Sequence, residues 1–396
     1  MPLSPIKPTE EPPVAPSRPL AWPLDPLMTL AVIGLAICSI VTLSAATKNL
    51  VLGDPHYYVD RQVIYLVVGF VFMIGLSRID YTLLSRLKNG IYAALMLSIL
   101  AVLALGQSAR GSQRAINFPL FSFQASELGK VLLIVSLSAF VVERARYLRE
   151  RDTTVRVIIG ALVPAMFVIA QPDLGSGMVY MVVAYALLFV VGSSWRHLVG
   201  LAVLVAVSAA LVLAVAPAVG VHVLKPYQVD RLTAFLHPSS NPQKEGYQQQ
   251  ESKIAIGSGQ KTGRGDKGGQ VPNGFVPESH TDFIFAAVGE RYGFAGAGIV
   301  LLLYAMLISR ALRTLVMAKD LFGSLIAAGV TAMLMFQVFV NVGMTIGIMP
   351  ITGVTLPLMS YGGSSVITTL LAVGLLQSIY VQARASAALK NRVLRF

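Results

Sequence analysis

Cysteine is all but missing from this sequence. Cys38 stands alone inside an apolar run, which excludes a disulfide framework and leaves packing as its role. Charge is scarce too: 13% of residues are Asp, Glu, Lys or Arg against 55% hydrophobic, and the mean hydropathy is +0.70. That balance excludes a separate soluble domain with its own core. No cluster has zinc-ligand spacing. The glycine-rich stretch 257–265 lacks the G-x-x-x-x-G-K-[ST] pattern, so a phosphate-cradling nucleotide loop is excluded. The first residues do not run from a basic segment into an apolar core and a cleavage site, so no cleaved signal peptide is expected. What remains is a polytopic membrane protein.

Apolar segments of about 17–25 residues are long enough to cross a bilayer. Ten occur, near 26–46, 60–77, 89–106, 125–143, 155–171, 174–192, 196–217, 283–308, 321–349 and 360–381. The expected fold is all-α and integral to the membrane, with about ten transmembrane helices and one long extracellular loop between helices 7 and 8. The chain divides into a disordered, proline-rich cytoplasmic tail (1–24), helices 1–7 (25–220), the loop (221–281), helices 8–10 (282–382) and a basic cytoplasmic tail (383–396).

The net charge of +12 is explained by position. Arg78, Arg86 and Lys88, then Arg144 to Arg156, then Arg310, Arg313 and Lys319, and finally Arg384 to Arg395 all fall on the N-terminal side if there are ten spans. The positive-inside rule makes that side cytoplasmic and places both termini there. Nucleic-acid binding is not needed to account for these cations.

The chemistry-bearing residues gather toward the other face. Pro277-Glu278-Ser279-His280-Thr281-Asp282-Phe283 places two carboxylates, a histidine and two hydroxyls just before an apolar run. Alone, it reads as a helix N-terminus capped by Ser279 or Thr281, with Asp282 favoured by the helix dipole. Asp173 likewise reads as a cap. Glu127 and Lys130, spaced i,i+3, share one helix face at the start of a span, where charges pair or face a polar cavity. Arg61, Arg110 and Arg114 lie on the external side, either snorkelling at the interface or holding an anion. Ile254-Ala255-Ile256 suggests that part of the long loop packs back as a short helix. Glycines, prolines and hydroxyls across 341–365 predict broken helices, tolerated where backbone lines a cavity.

Six motifs in order carry a family resemblance: Gly111-Ser112-Gln113-Arg114; Phe123-Gln124 with Ser126-Glu127-Leu128 and Lys130; Gln171-Pro172-Asp173-Leu174-Gly175; Ser252 to Gly259; Pro277 to Phe285; and Leu356-Pro357-Leu358 with Ser360-Tyr361-Gly362-Gly363-Ser364. In these the chain resembles the SEDS family of shape, elongation, division and sporulation proteins. Gln113-Arg114 and the Asn341-to-Gly347 stretch are more similar to its rod-shape branch than to its division branch. It departs from the family pattern at Ala125, Ala115 and Arg291.

The resemblance implies a peptidoglycan glycosyltransferase that polymerises lipid II by an inverting mechanism during cell-wall elongation. Its site would lie on the external face of the cytoplasmic membrane, with lipid II as both donor and acceptor. The implied partners are a class B penicillin-binding protein and the elongation machinery. Asp282 is the expected catalytic base. Arg61, Arg114, Glu127, Lys130, Lys253, Glu278, His280, Ser360 and Ser364 are the expected substrate-binding residues. No cofactor is firmly implied; Mg²⁺ or Mn²⁺ carried by pyrophosphate and one or two carboxylates is physically reasonable. The competing readings are a lipid II flippase and a non-catalytic scaffold.

Overall fold

The computed structural model describes residues 24–47, 54–109, 112–117, 122–147, 150–210, 245–265, 269–272 and 274–393. All of the expected N-terminal tail but Leu24, Arg110, the loop's first part (221–244) and residues 394–396 lie outside these. The helices are α1 (Pro26–Ala46), α2 (Tyr57–Ser77), the one-turn α3 (Leu83–Arg86), α4 (Lys88–Leu105), α5 (Ala125–Glu143), α6 (Arg151–Ala170), α7 (Leu174–Val190), α8 (Trp195–Ala210), α9 (Glu245–Ser258), α10 (Ile284–Met317), α11 (Leu321–Ile346) and α12 (Gly363–Val393). Each of the ten expected apolar segments has a helix. Eight are long and apolar enough to cross a membrane; α7 and α8 are apolar but shorter, at 17 and 16 residues. The protein is a multi-pass membrane protein.

Three local features differ from the sequence expectation. Between α4 and α5 the chain is not helical. It forms β1 (Gln107–Ala109), β2 (Ser112–Asn117) and β3 (Ser122–Phe123), paired antiparallel in the order β1-β2-β3. Pairing satisfies backbone groups that a bare loop at a membrane face would leave to solvent. The basic C-terminal segment continues α12 as helix through Val393. Arg310 and Arg313 lie within α10, which runs nine residues past its expected end at 308.

The bundle is sorted by burial. In α5, α11 and α12 between 72% and 78% of the apolar span is buried, against 28% in α2 and 17% in α4, so the first three form the centre. Outward side chains such as Leu30, Ile37, Val67, Val71 and Leu97 form the lipid-facing surface. α12 packs along α2, α11 along α10, α4 along α5, and α6 along α7. Small residues permit close crossing of α12 on α2: a Cβ on Gly374 would stand 2.9 Å from the Met73 carbonyl oxygen.

One end of the bundle is locked by a buried ion pair. Asp25 caps α1, accepting from the Leu27 and Met28 amides. It also receives Nε (2.8 Å) and Nη2 (2.5 Å) of Arg310, while its own amide donates to Gln377 on α12 at 2.7 Å. Arg310 is therefore a structural partner as well as a topological charge. The Asp25 carboxylate is fully buried, and a charge there persists only because it is paired.

α10 is two helices joined at Gly293, whose backbone (φ 62°, ψ −158°) suits glycine alone. The opened turn is held by loop backbone. Arg264 and Gly265 amides donate to the Glu290 and Arg291 carbonyls, and Phe294 and Ala295 amides donate to Gln260 and Lys261. Gly293→Ala would put a Cβ 2.4 Å from the Gly263 nitrogen. Backbone strain alone costs about 1–3 kcal/mol, so this variant should unfold at a lower temperature in detergent; an unchanged midpoint would show that the break is not required.

Candidate active site

The turn before α10 is not held by its own cap. The helix begins at Ile284, Phe283 is the N-cap residue, and it makes no side-chain capping bond. This corrects the expectation that Ser279 or Thr281 caps the helix. The Thr281 hydroxyl turns back on Glu278 instead, donating to its carbonyl at 3.3 Å and its carboxylate at 3.0 Å, and Ser279 is buried. The Glu278 backbone has φ 56°, and its carbonyl accepts from the amides of both Thr281 and Phe283 at 3.1 Å. A non-glycine residue in that region is strained, so surrounding structure has to hold it.

That support comes from outside the turn. The irregular segment 347–362 between α11 and α12 is largely buried, with Ile351, Val354, Leu356, Leu358 and Met359 in the core. Backbone without secondary structure at this depth needs partners within the protein. Three successive carbonyls of the turn accept from it or from α11. His280 O accepts the Tyr361 amide at 2.9 Å, Thr281 O the Ser360 hydroxyl at 2.6 Å, and Asp282 O the Asn341 Nδ2 at 2.9 Å. Ser360 also accepts the Leu356 amide at 2.8 Å, so its hydroxyl is a backbone clamp.

The first turn of α12, directly after that segment, reaches the other acidic motif. The Ser364 hydroxyl donates to Ser122 O at 2.7 Å and accepts the Gln124 amide at 2.9 Å. Gln124 Nε2 and the Ser126 hydroxyl donate to one Asp173 oxygen at 3.0 and 2.7 Å, and the other accepts the Ser176 amide at 3.1 Å. Asp173 is therefore the expected cap of α7 and also a junction. One turn along α5, Lys130 Nζ meets Glu127 Oε1 at 2.7 Å, with the lysine side chain 2% and the glutamate 7% exposed. Hydrogen bonds thus run from the Asp282 turn through Ser360–Ser364 to the foot of the Glu127–Lys130 pair.

Aromatic rings flank the turn. Tyr58 on α2 lies 4.7 Å from the His280 ring and 4.9 Å, edge-on, from Tyr361. Burial, with Tyr65 beside it, pushes the Tyr361 phenol well up, so it is a neutral hydrogen-bonding group at physiological pH. Arg61 is one turn from Tyr58 on α2, with its guanidinium 4.3 Å over the Tyr57 ring, a half-buried cation on the same side as the turn.

Two further expected ligands lie on other elements. The backbone of Arg114 lies in β2; its side chain is outside the described residues. Lys253 lies on α9, the expected short helix of the long loop, which Ser252 and Gln249 pin to the Thr345 and Met344 carbonyls. Its stem crosses Gly347, the left-handed residue ending α11, so its ammonium sits where a helix C-terminus favours a cation. Glu290, buried, accepts the Gln270 and Val271 amides and ties down the loop's second half. Sequence reasoning passed over the roles of Tyr58, Tyr361 and Asn341. For Tyr58 the signal was its position between His56 and Arg61; for Asn341 it was an amide within an apolar helix.

Among the described residues no three His, Cys, Asp or Glu side chains converge as a metal cage. A cation brought by a phosphate ligand and held by one or two carboxylates needs no such cage. The arrangement offers a carboxylate on a clamped turn, an aromatic wall, the half-buried Arg61 one turn from Tyr58, and the buried Lys130 on α5.

The family described as "Cell cycle protein" (FtsW, RodA, SpoVE) matches residues 24–385. Over 358 residues the chain is 34% identical to peptidoglycan glycosyltransferase MrdB of Escherichia coli K12, covering 90% of this chain and 93% of that protein. It is 31% identical to stage V sporulation protein E of Bacillus subtilis over 357 residues, covering 89% and 95%. Among solved structures, a chain from "Structural coordination of polymerization and crosslinking by a peptidoglycan synthase complex" superposes with a TM-score of 0.77 at 29% identity, covering 92% of this chain and 99% of that one. The rod shape determining protein RodA of Thermus thermophilus gives 0.64 at 26% identity, covering 92% and 97%. This chain belongs to the FtsW/RodA/SpoVE family of cell cycle proteins.

Proposed function

We propose that this protein is a peptidoglycan glycosyltransferase of the bacterial cytoplasmic membrane. It polymerises lipid II on the external face, with both termini in the cytoplasm, and works with a class B penicillin-binding protein in wall elongation. The glycosyltransferase and synthase-complex names of its relatives support the reaction class and the partner. Gln113-Arg114 and the Asn341-to-Gly347 stretch support the rod-shape role. The observation that carries the reading is the clamped Asp282 turn, linked through Ser360 and Ser364 to the N-terminus of α5, the helix that bears the buried Glu127–Lys130 pair.

Forming a β-1,4 glycan bond from an α-linked pyrophosphate donor inverts the anomeric carbon. The new carbon–oxygen bond forms as the bond to pyrophosphate breaks, and the hydroxyl proton has to leave. Asp282 takes that proton. Arg61 binds pyrophosphate oxygens and Arg114 assists from β2, since guanidinium groups suit phosphate geometry. Lys130 offsets charge developing on the leaving group. At 2% exposure, Lys130 contacts a phosphate only once the packing around it rearranges. Glu278 and His280 shape the acceptor side, and Ser360 and Ser364 hold the two halves of the site together. A divalent cation, if required, arrives with the pyrophosphate.

The test is glycan synthesis from purified lipid II by the detergent-solubilised protein with its partner. Polymerisation needs no compartments, whereas flipping does. Glycan strands whose yield depends on this chain are the expected result. Absence of product, together with lipid II transfer across proteoliposomes, would replace this reading with transport.

A further inference from the structure

We propose that Asn341 is a positioning residue for Asp282, acting through the main chain; this rests on Asp282 being the base. Its Nδ2 donates at once to Asp282 O (2.9 Å) and Val354 O (2.7 Å). One amide on α11 thus fixes the turn before α10 and the irregular segment that holds the rest of that turn. Of the three clamps it is the one attached to residue 282 itself, and it alone comes from a regular helix in the bundle centre.

Packing alone does not account for an amide here. Asn341 has no exposed surface, and among the described residues nothing donates to its Oδ1. A buried amide with an unanswered carbonyl is unfavourable, and an apolar side chain of similar volume would suit the surroundings better. What the amide supplies is two directed donors. The turn needs them: Phe283 makes no side-chain cap, and Glu278, four residues before Asp282, is held at positive φ. Fixing the Asp282 carbonyl fixes its Cα and so the origin from which its carboxylate reaches the acceptor hydroxyl.

Lipid II polymerisation by the purified complex tests this with Asn341→Leu, Asp282→Asn and the double variant. Asn341→Leu should lower kcat by about 10–100-fold, the scale of a 1 Å misplacement. KM should stay within about twofold, because a misplaced base is a loss in the transition state only. Asn341→Ser, which keeps one donor and guards against a folding failure of the leucine variant, should fall between Asn341→Leu and wild type. In the double variant the Asn341 change should add nothing to the Asp282→Asn loss, as residues acting as one unit are not additive. Wild-type kcat in both Asn341 variants, or losses that multiply in the double variant, would overturn the inference. If Asp282→Asn polymerises normally, the base assignment itself fails, and that result is distinct from an inert Asn341.

Discussion

Asp282→Asn should reduce lipid II polymerisation by about 10²–10⁴-fold, the usual contribution of a placed general base. The substitution is close to isosteric, and the three clamps on this turn fall on the carbonyls of residues 280, 281 and 282, which it leaves in place. The variant should therefore insert, purify with its partner and unfold near the wild-type temperature, while its amide cannot take up the acceptor proton. Glycan product resolved on a gel is the measurement, with the thermal midpoint as the folding control. Wild-type product from a well-folded Asp282→Asn complex would remove Asp282 from the chemistry and favour the scaffold reading.

The second large effect is expected at Lys130. Removing one partner of a buried ion pair leaves the other charge uncompensated, at a cost of about 3–5 kcal/mol. Lys130 and Glu127 meet that description, so Lys130→Ala should lower stability sharply as well as abolish polymerisation. The two effects separate in the double variant Glu127→Gln/Lys130→Met. It removes both charges at similar volume and should recover most of the stability. If Lys130 stabilises the leaving pyrophosphate, the double variant folds yet stays inactive. If it polymerises at the wild-type rate, the pair is structural and the phosphate role is lost.

How much of this was readable beforehand depended on the range of the interaction. Span positions came from apolar runs, and each run has a helix, but α10 and α12 continue past their runs because a helix need not end where its apolar stretch does. The Glu127–Lys130 pair was visible because both partners lie on one helix turn. The short helix of the loop was visible in Ile254-Ala255-Ile256, whose middle residue is fully buried. Contacts between distant segments were not legible. Capping by Ser279 or Thr281 was the best local reading, but the turn answers to Tyr361, Ser360 and Asn341, some 60–80 residues away. The small sheet of 107–123 escaped for a different reason: strands of two to six residues carry too few alternations to show a period. For Lys253 the sequence shows a cation but not the helix end beneath it.

The Asp25–Arg310 lock sets an order on assembly. Its partners are 285 residues apart, and Gln377, which receives the Asp25 amide, is 352 away. At about 5–20 residues per second of synthesis, Asp25 waits roughly 15–60 s for its arginine. Until then the first helix carries that carboxylate without the guanidinium that buries it, and water has to keep it. The first span to enter the membrane is therefore among the last to be sealed into the bundle, and the closing pieces are α10 and α12, the helices on either side of the Asp282 site.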